Sequence, residues 1–254
     1  MPVQTVLVTG AASGIGLAVA DRFLQSGARV HICDVSSEAI ERARASHPQL
    51  SSTLADLGDR HAIVRLFEDV DRELGSLDVL VNNAGIGGGR GLSEEILPDE
   101  WDRALAVNLS GPFYACQQAI RRMKPRRSGC IVNISTSSVR TGLPKRTPYV
   151  ASKQGLMGLT QNLARELGPN NIRVNAILPG MIANDRGKAL VRNLAVDRGL
   201  SIEAAEQQML RFISMRTWIE PTEVGDLAVF LASTAARHIT GQFIGVCGGA
   251  EWEE

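Results

Sequence analysis

The sequence predicts a single α/β domain built on a doubly wound parallel sheet of about seven strands, with helices on both faces. Three observations predict it. Strand-like and helix-like segments alternate from end to end, and such alternation produces a parallel sheet with right-handed crossovers. Gly10, Gly14 and Gly16 follow the first strand-like run and open the first helical one. No Pro/Ser-rich linker, charge run or repeat of 20–50 residues divides the 254 residues, so 1–254 reads as one domain.

Residues 3–9 (VQTVLVT) form a short apolar run rich in β-branched residues, as suits a strand buried on both faces. Residues 14–26 take a helical period, with Ile15, Val19, Phe23 and Leu24 on one side. A second strand is expected over 28–34 (ARVHICD), and Ser36 is placed to cap the next helix. A third strand at 50–55 leads into a helix over 59–74. A fourth strand at 77–82 (LDVLVN) precedes two helical patterns across 98–123, broken near Asn108. Then come a fifth strand at 130–135 (CIVNIS), a helix at 148–167 and a sixth strand at 172–178. Residues 184–215 read as two amphipathic helices interrupted at Gly199. A helix at 222–232 leads to a last strand at 242–246.

Composition narrows the function classes. The apolar fraction of 44% supports a sizeable core. Lys plus Arg (27) equals Asp plus Glu (27), so no overall field draws nucleic acid or an anionic membrane. The aromatic fraction of 4% offers no repeated platform for stacking bases. Cys33, Cys116, Cys130 and Cys247 form no CxxC pair and no metal-ligand spacing, so no metal is expected. They read as buried free thiols in a reducing cytoplasm. No apolar stretch approaches the ~18–20 residues of a membrane span. The N-terminus opens as strand and glycine loop rather than as a signal peptide.

The turn Thr9-Gly10-Ala11-Ala12-Ser13-Gly14-Ile15-Gly16 is suited to a pyrophosphate. Its glycines let the backbone turn sharply and lie close to the ligand, while free N–H groups and the positive helix end face the phosphates. Asp34 closes the second strand, 24 residues after Gly10. A carboxylate there can accept both adenosine ribose hydroxyls and would repel a 2′-phosphate. No Arg or Lys lies in the loop, so NAD is favoured over NADP.

Tyr149 and Lys153 stand four residues apart in a helical segment, on one face. An ammonium near a phenol favours the phenolate and lowers a pKa that is about 10 when free. Such a phenol can exchange a proton with a substrate oxygen while hydride moves at the adjacent carbon.

These features occur with others in one order and at one spacing: TGAASGIG at 9–16, Asp56-Leu57, NNAG at 82–85, Asn108 in VNLSG, IVNIS at 131–135, YVASK at 149–153 and LPG at 178–180. From residue 3 to about 249 the chain resembles the classical short-chain dehydrogenase/reductase family. The resemblance implies a Rossmann-type domain, a nicotinamide dinucleotide and an Asn-Ser-Tyr-Lys catalytic set. On it, Tyr149 is the acid/base, and Lys153 binds the nicotinamide ribose and lowers the tyrosine pKa. Asn108 would hold a relay water through its backbone at a kink in its helix. Gly10, Ser13, Gly14, Ile15 and Gly16 would take the phosphates and Asp34 the ribose. Asp56 and Leu57 would meet the adenine, with Asn82, Asn83, Ala84 and Gly85 bordering the adenosine side. Pro179 and Gly180 lead to Ile182, whose backbone would hold the carboxamide.

Three positions depart from the family pattern. The substrate-orienting serine normally lies 13 residues before the tyrosine, where this chain has Thr136; Thr136 keeps the hydroxyl, and Ser137 serves instead if the loop shifts by one residue. Asn184 stands where Thr is frequent, and Cys247 where Asp is frequent.

Residues 183–216 are expected to form a substrate lid. Arg186, Lys188, Arg192, Arg198, Arg211 and Arg216 lie in it, with Arg140 and Arg146 before Tyr149. Most suit a solvated surface; one or two could hold a carboxylate or a sugar-like substrate, Arg186 first. Met181, Met209, Phe212, Met215 and Trp218 read as lid core or as an apolar pocket wall. Trp252 reads as a surface aromatic or as a contribution to a neighbouring subunit's pocket. Arg121, Arg122, Lys124, Arg126 and Arg127 read as a solvated helix end or as a patch for acyl carrier protein.

The expected activity is NAD-dependent hydride transfer at an alcohol or carbonyl carbon of a small polar substrate: a hydroxy acid, a sugar or polyol, or a secondary alcohol. The alternatives are a 3-oxoacyl-carrier-protein reductase and, from another class, a non-catalytic NAD-binding scaffold or sensor. A homo-oligomer, dimer or tetramer, is expected, with helices 102–123 and 149–167 paired through the small residues Gly155, Gly158 and Ala164.

Overall fold

The apolar run that opens the chain becomes β1 (Thr5–Thr9), buried along its whole length. The computed structural model describes residues 3–250. After β1 come α1 (Gly14–Gln25), β2 (Arg29–Asp34), α2 (Ser37–Ser46), β3 (Ser51–Leu54), α3 (Arg60–Leu74) and β4 (Val79–Asn82). The next stretch holds α4 (Pro98–Leu105), a π-helical turn (Ala106–Ser110), α5 (Gly111–Met123), β5 (Gly129–Ile134) and a short α6 (Ser138–Thr141). Then follow α7 (Thr147–Leu167), β6 (Ile172–Pro179), α8 (Asp185–Arg198), α9 (Ile202–Leu210), α10 (Pro221–Ala232) and β7 (Phe243–Val246). Every strand and helix expected from periodicity is present, with ends moved by a few residues.

The sheet is parallel throughout and ordered β3-β2-β1-β4-β5-β6-β7. Val6 pairs with Val30 on one side and Val79 on the other, so the order reverses between β1 and β4. At such a switch point the loops leaving the strand ends diverge and open a crevice. Alternation along β1 divides the core. Val6 and Val8 pack with Phe23, Ile32 and the α10 residues Val224 and Leu231 on one face. Leu7 packs with Leu80, Ile131, Phe67 and Leu163 on the other. Each large apolar side chain removed from water contributes roughly 1.5–3 kcal/mol.

Local chemistry sets the helix ends. Ser36 Oγ accepts from Ala39 N at 3.2 Å, the expected cap of α2. Gly199, at φ 61°, ends α8 where the pattern breaks, in the left-handed region that glycine enters at low cost. α8 and α9 share a small core of Val191, Ala195 and Ala205, against which Met181, Met209 and Trp218 pack. Met181 and Met209 therefore belong to lid core, Trp218 both packs on that core and lines a cavity beside it, and Met215 is exposed. An apolar-lined cavity of about 440 Å³ lies beneath Val191, Ile202 and Trp218, apart from the main crevice. Trp252 lies outside the described residues.

All four cysteines are free and buried, and burial pushes the thiols of Cys33 and Cys116 up to about 12 and that of Cys130 to about 11. Among the described residues no helix is long and apolar enough to cross a membrane. Two of the three small residues expected at a subunit contact point inward. A Cβ at Gly155 would lie 2.9 Å from Leu109 of the same chain, and Ala164 is buried under the sheet. Gly158 has open space before it.

Candidate active site

The glycine turn is held from below. Thr9 Oγ1 accepts from Asn83 N and Ala84 N, both at 3.1 Å, and Asn83 Nδ2 donates to Thr9 O at 3.0 Å and Gly10 O at 2.8 Å. A Cβ at Gly16 would lie 2.4 Å from Gly10 O, and one at Gly10 2.6 Å from Ala84 Cα, so neither position admits a side chain without backbone movement. Gly14, at φ 56°, would meet nothing closer than Asn184 Nδ2 at 3.7 Å; its bare face opens on the crevice. Ser13 makes no side-chain cap, so the first turn of α1 keeps donors for a ligand.

That crevice, about 530 Å³, runs from Gly10, Ser13, Gly14, Ile15 and Gly16 past Asp34, Asp56 and Leu57, and past Asn83, Ala84 and Gly85, to Tyr149 and Lys153. Asp34 is oriented by three backbone donors, Ala12 N at 3.1 Å, Val35 N at 2.8 Å and Ser36 N at 3.2 Å. Asp56 accepts from Gly58 N at 2.8 Å and is gripped by Arg103 Nη2 at 2.8 and 2.9 Å. Arg103 also lines the crevice. Nothing local in the sequence marks it, because the pairing spans 47 residues and forms when α4 docks over the loop after β3. A bare glycine cradle, a capless helix end and a carboxylate at the tip of the second strand form a donor and acceptor set that fits a nicotinamide dinucleotide.

At the far end Lys153 is 3% exposed and its Nζ donates to Ile134 O at 2.7 Å. Burial, and secondarily the Arg186 charge, bring its ammonium down from 10.5 to about 7. Gly85 leaves room for it: a Cβ there would lie 3.2 Å from Nζ. Asn108 is fully buried at the π-helical turn, the kink expected in that helix. Its Oδ1 accepts from Ile86 N at 2.8 Å, and its Nδ2 donates to Ile86 O and Ser152 Oγ, each at 3.0 Å. The side chain is thereby committed to joining the loop after β4 to α7.

Some expected residues lie elsewhere. Asn82 does not border the crevice; it is 1% exposed, and its amide donates to Asn133 Oδ1 at 2.9 Å and Cys116 Sγ at 3.3 Å within the core. The even position along β4 turned it inward, and Asn83 took the outward place. Thr136 is buried and its hydroxyl lies 3.3 Å from Ser138 Oγ, while Ser137 is half-buried beside it. Pro179 and Gly180 sit against the β7 end, where a Cβ on Gly180 would meet Cys247 Cα at 2.7 Å. Ile182 is buried and pairs with Ile219. Asn184, by contrast, lines the crevice beside Gly14, and its Oδ1 caps α8 by accepting from Gly187 N at 2.9 Å.

Around Tyr149 the tertiary structure adds two cations. The guanidinium carbons of Arg146 and Arg186 lie 5.6 and 5.4 Å from the centre of its ring. The basic helix end at 121–127 is largely taken up within the chain: Arg122 grips Asp71, Arg126 pairs with Asp78, and Arg127 donates to Pro169 O at 2.7 Å.

A family model described as enoyl-(acyl carrier protein) reductase matches residues 10–251. The chain is 37% identical over 250 residues to the 3-oxoacyl-[acyl-carrier-protein] reductase FabG of Thermotoga maritima, covering 97% of each chain. It is 36% identical over 251 residues to that of Staphylococcus aureus, again covering 97% of each. Among solved structures it is similar to an NAD+-bound xylitol dehydrogenase (TM-score 0.91, 30% identity, 97% of this chain and 98% of that one). It is also similar to an actinorhodin polyketide ketoreductase with NADPH (TM-score 0.92, 31% identity, 98% and 97%).

Proposed function

This chain belongs to the classical short-chain dehydrogenase/reductase family of nicotinamide-dependent oxidoreductases, and on that premise we propose that it interconverts an alcohol and a carbonyl, with Tyr149 as acid/base. One observation carries the reading: the phosphate cradle at Gly10–Gly16 and the Tyr149–Lys153 pair line one and the same crevice. A bound dinucleotide would supply or accept the hydride. In the oxidative direction the substrate's O–H proton passes to Tyr149 Oη as its C–H bond breaks and the carbonyl forms. Lys153, one helical turn from Tyr149 on α7, is the candidate to hold the nicotinamide ribose. Asn108 holds the loop after β4 against α7, and its backbone is the candidate holder of a relay water. Thr136 or Ser137 supplies the hydroxyl that orients the substrate oxygen.

Asp34 supports NAD. Its carboxylate is aimed by three N–H groups at the site of the adenosine ribose, and the neighbouring Arg103, held by Asp56, is not free to receive a 2′-phosphate. One of the structural neighbours holds NAD+ and another NADPH, so the choice rests on these residues. A second reading, reduction of a 3-oxoacyl thioester, draws its support from the curated relatives. It uses the same tyrosine, and the pairing of Arg122 with Asp71 and Arg126 with Asp78 leaves Arg121, Lys124 and Arg127 without a carboxylate partner among the described residues, open to an acidic carrier. The test is oxidation of NADH and NADPH with 3-oxoacyl thioesters, oxo acids and ketones. Tyr149→Phe should lower kcat by about 10²–10⁴-fold; a variant that keeps wild-type turnover removes the mechanism.

A homo-oligomer is proposed through α5 and α7, where Phe113 is 40% exposed and Gly158 leaves its face open.

A further inference from the structure

Resting on the hydride-transfer reading above, we propose that Arg146 and Arg186 form a carboxylate-binding pair beside Tyr149, so that the substrate is a short hydroxy or oxo acid. Both guanidiniums lie within 5.6 Å of the Tyr149 ring. Neither is paired with a carboxylate among the described residues. Arg146 is half-buried, and its Nε is shielded from solvent with no hydrogen-bond partner. It reaches this place because Gly87 is bare: a Cβ there would lie 2.2 Å from Arg146 Nη2. A third guanidinium close by, Arg90, is already matched by Asp197.

Two like charges beside a third, Lys153, repel one another, and a bound anion relieves that repulsion. The glycine turn offers its own N–H groups and helix end to the dinucleotide pyrophosphate. The guanidiniums beside Tyr149 are then open to an anion carried by the substrate. With the reacting oxygen hydrogen-bonded to Tyr149 Oη, a carboxylate near the reacting carbon would meet the guanidiniums packed on that ring. Two planar forks suit such a carboxylate better than a neutral ester or a thioester. In the reductive direction the oxo acid takes hydride from the reduced nicotinamide cofactor and a proton from Tyr149, leaving a hydroxy acid and the oxidised cofactor.

The experiment compares acids with their uncharged isosteres. Acetoacetate and methyl acetoacetate, and pyruvate and methyl pyruvate, are titrated calorimetrically into the protein saturated with oxidised cofactor, with which they cannot react; turnover is then followed with reduced cofactor. The acid of at least one pair should bind and react better than its ester. In Arg146→Gln and Arg186→Gln the acid-to-ester ratio of kcat/KM should fall roughly 10- to 100-fold, mainly through KM for the acid. Esters preferred over acids in wild type, in binding as in turnover, would overturn the inference. So would an Arg186→Gln variant that raises KM for the cofactor alone, which would assign that guanidinium to the pyrophosphate. Loss of the hydride-transfer reading looks different: no carbonyl consumes reduced cofactor, and calorimetry of the acid against the ester still decides the pair.

Discussion

Lys153 titrates in the fold at about 7, against 10.5 for a free lysine, because burial strips water from its ammonium and Arg186 adds like charge. The unfolded chain therefore binds more protons than the folded one between those values, and stability must rise with pH across that window. Below pH 7 the whole penalty is present, about 5 kcal/mol for a displacement from 10.5 to about 7 at 1.36 kcal/mol per unit. Above 10.5 it is gone. Between pH 7 and pH 9 the ligand-free protein should gain about 2 kcal/mol from this group alone. Other titrating groups, the buried thiols among them, also act in that range, so the measurement is a difference. Wild type and Lys153→Met are unfolded in urea at pH 7 and pH 9 without cofactor. The Met variant should lose its bond to Ile134 O at both pH values, and wild type should improve on it by about 2 kcal/mol at the higher one, equivalent to roughly 4–8 °C in Tm for a chain of this size. Parallel behaviour of the two proteins would show that the ammonium keeps an ordinary affinity for protons, and the account of its burial would be wrong.

Three further outcomes are expected. Asp34→Ala should improve kcat/KM for NADP relative to NAD by about 10-fold or more, since each 1.4 kcal/mol of removed repulsion is tenfold; an unchanged ratio would detach cofactor choice from this carboxylate. Thr136→Ala should lower kcat by about 10²-fold and Ser137→Ala by much less; the reverse order would assign the substrate-orienting hydroxyl to Ser137. Light scattering should give a dimer or tetramer mass, and Phe113→Glu, which places a charge on the exposed face of α5, should shift it toward monomer; a monomer mass for the wild type would end the proposed pairing.

The order and type of the elements, the glycine turn, Asp34 at the tip of β2, and Tyr149 and Lys153 on one face of α7 were legible in the chain before it folds. These follow from local physics. Apolar periodicity separates buried strands from amphipathic helices, positive φ at Gly10 and Gly14 suits glycine, and a spacing of four residues is one helical turn. Ser36 as a cap and Gly199 as a helix end were legible for the same reason. The tertiary structure alone decided which neighbours those residues meet. The strand order β3-β2-β1-β4-β5-β6-β7 brings Arg103 to Asp56, sends Asn82 into the core and Asn83 to the crevice, ties Asn108 to Ser152, and sets Gly155 against Leu109. It also gathers Arg146 and Arg186, 40 residues apart in the chain, around one tyrosine. Contacts of this kind depend on how helices cross the sheet and how far a long side chain reaches. Neither quantity is encoded in a window of a few residues, which is why the residues lining the glycine-turn crevice could be read from the chain while the neighbours of Tyr149 required the folded molecule.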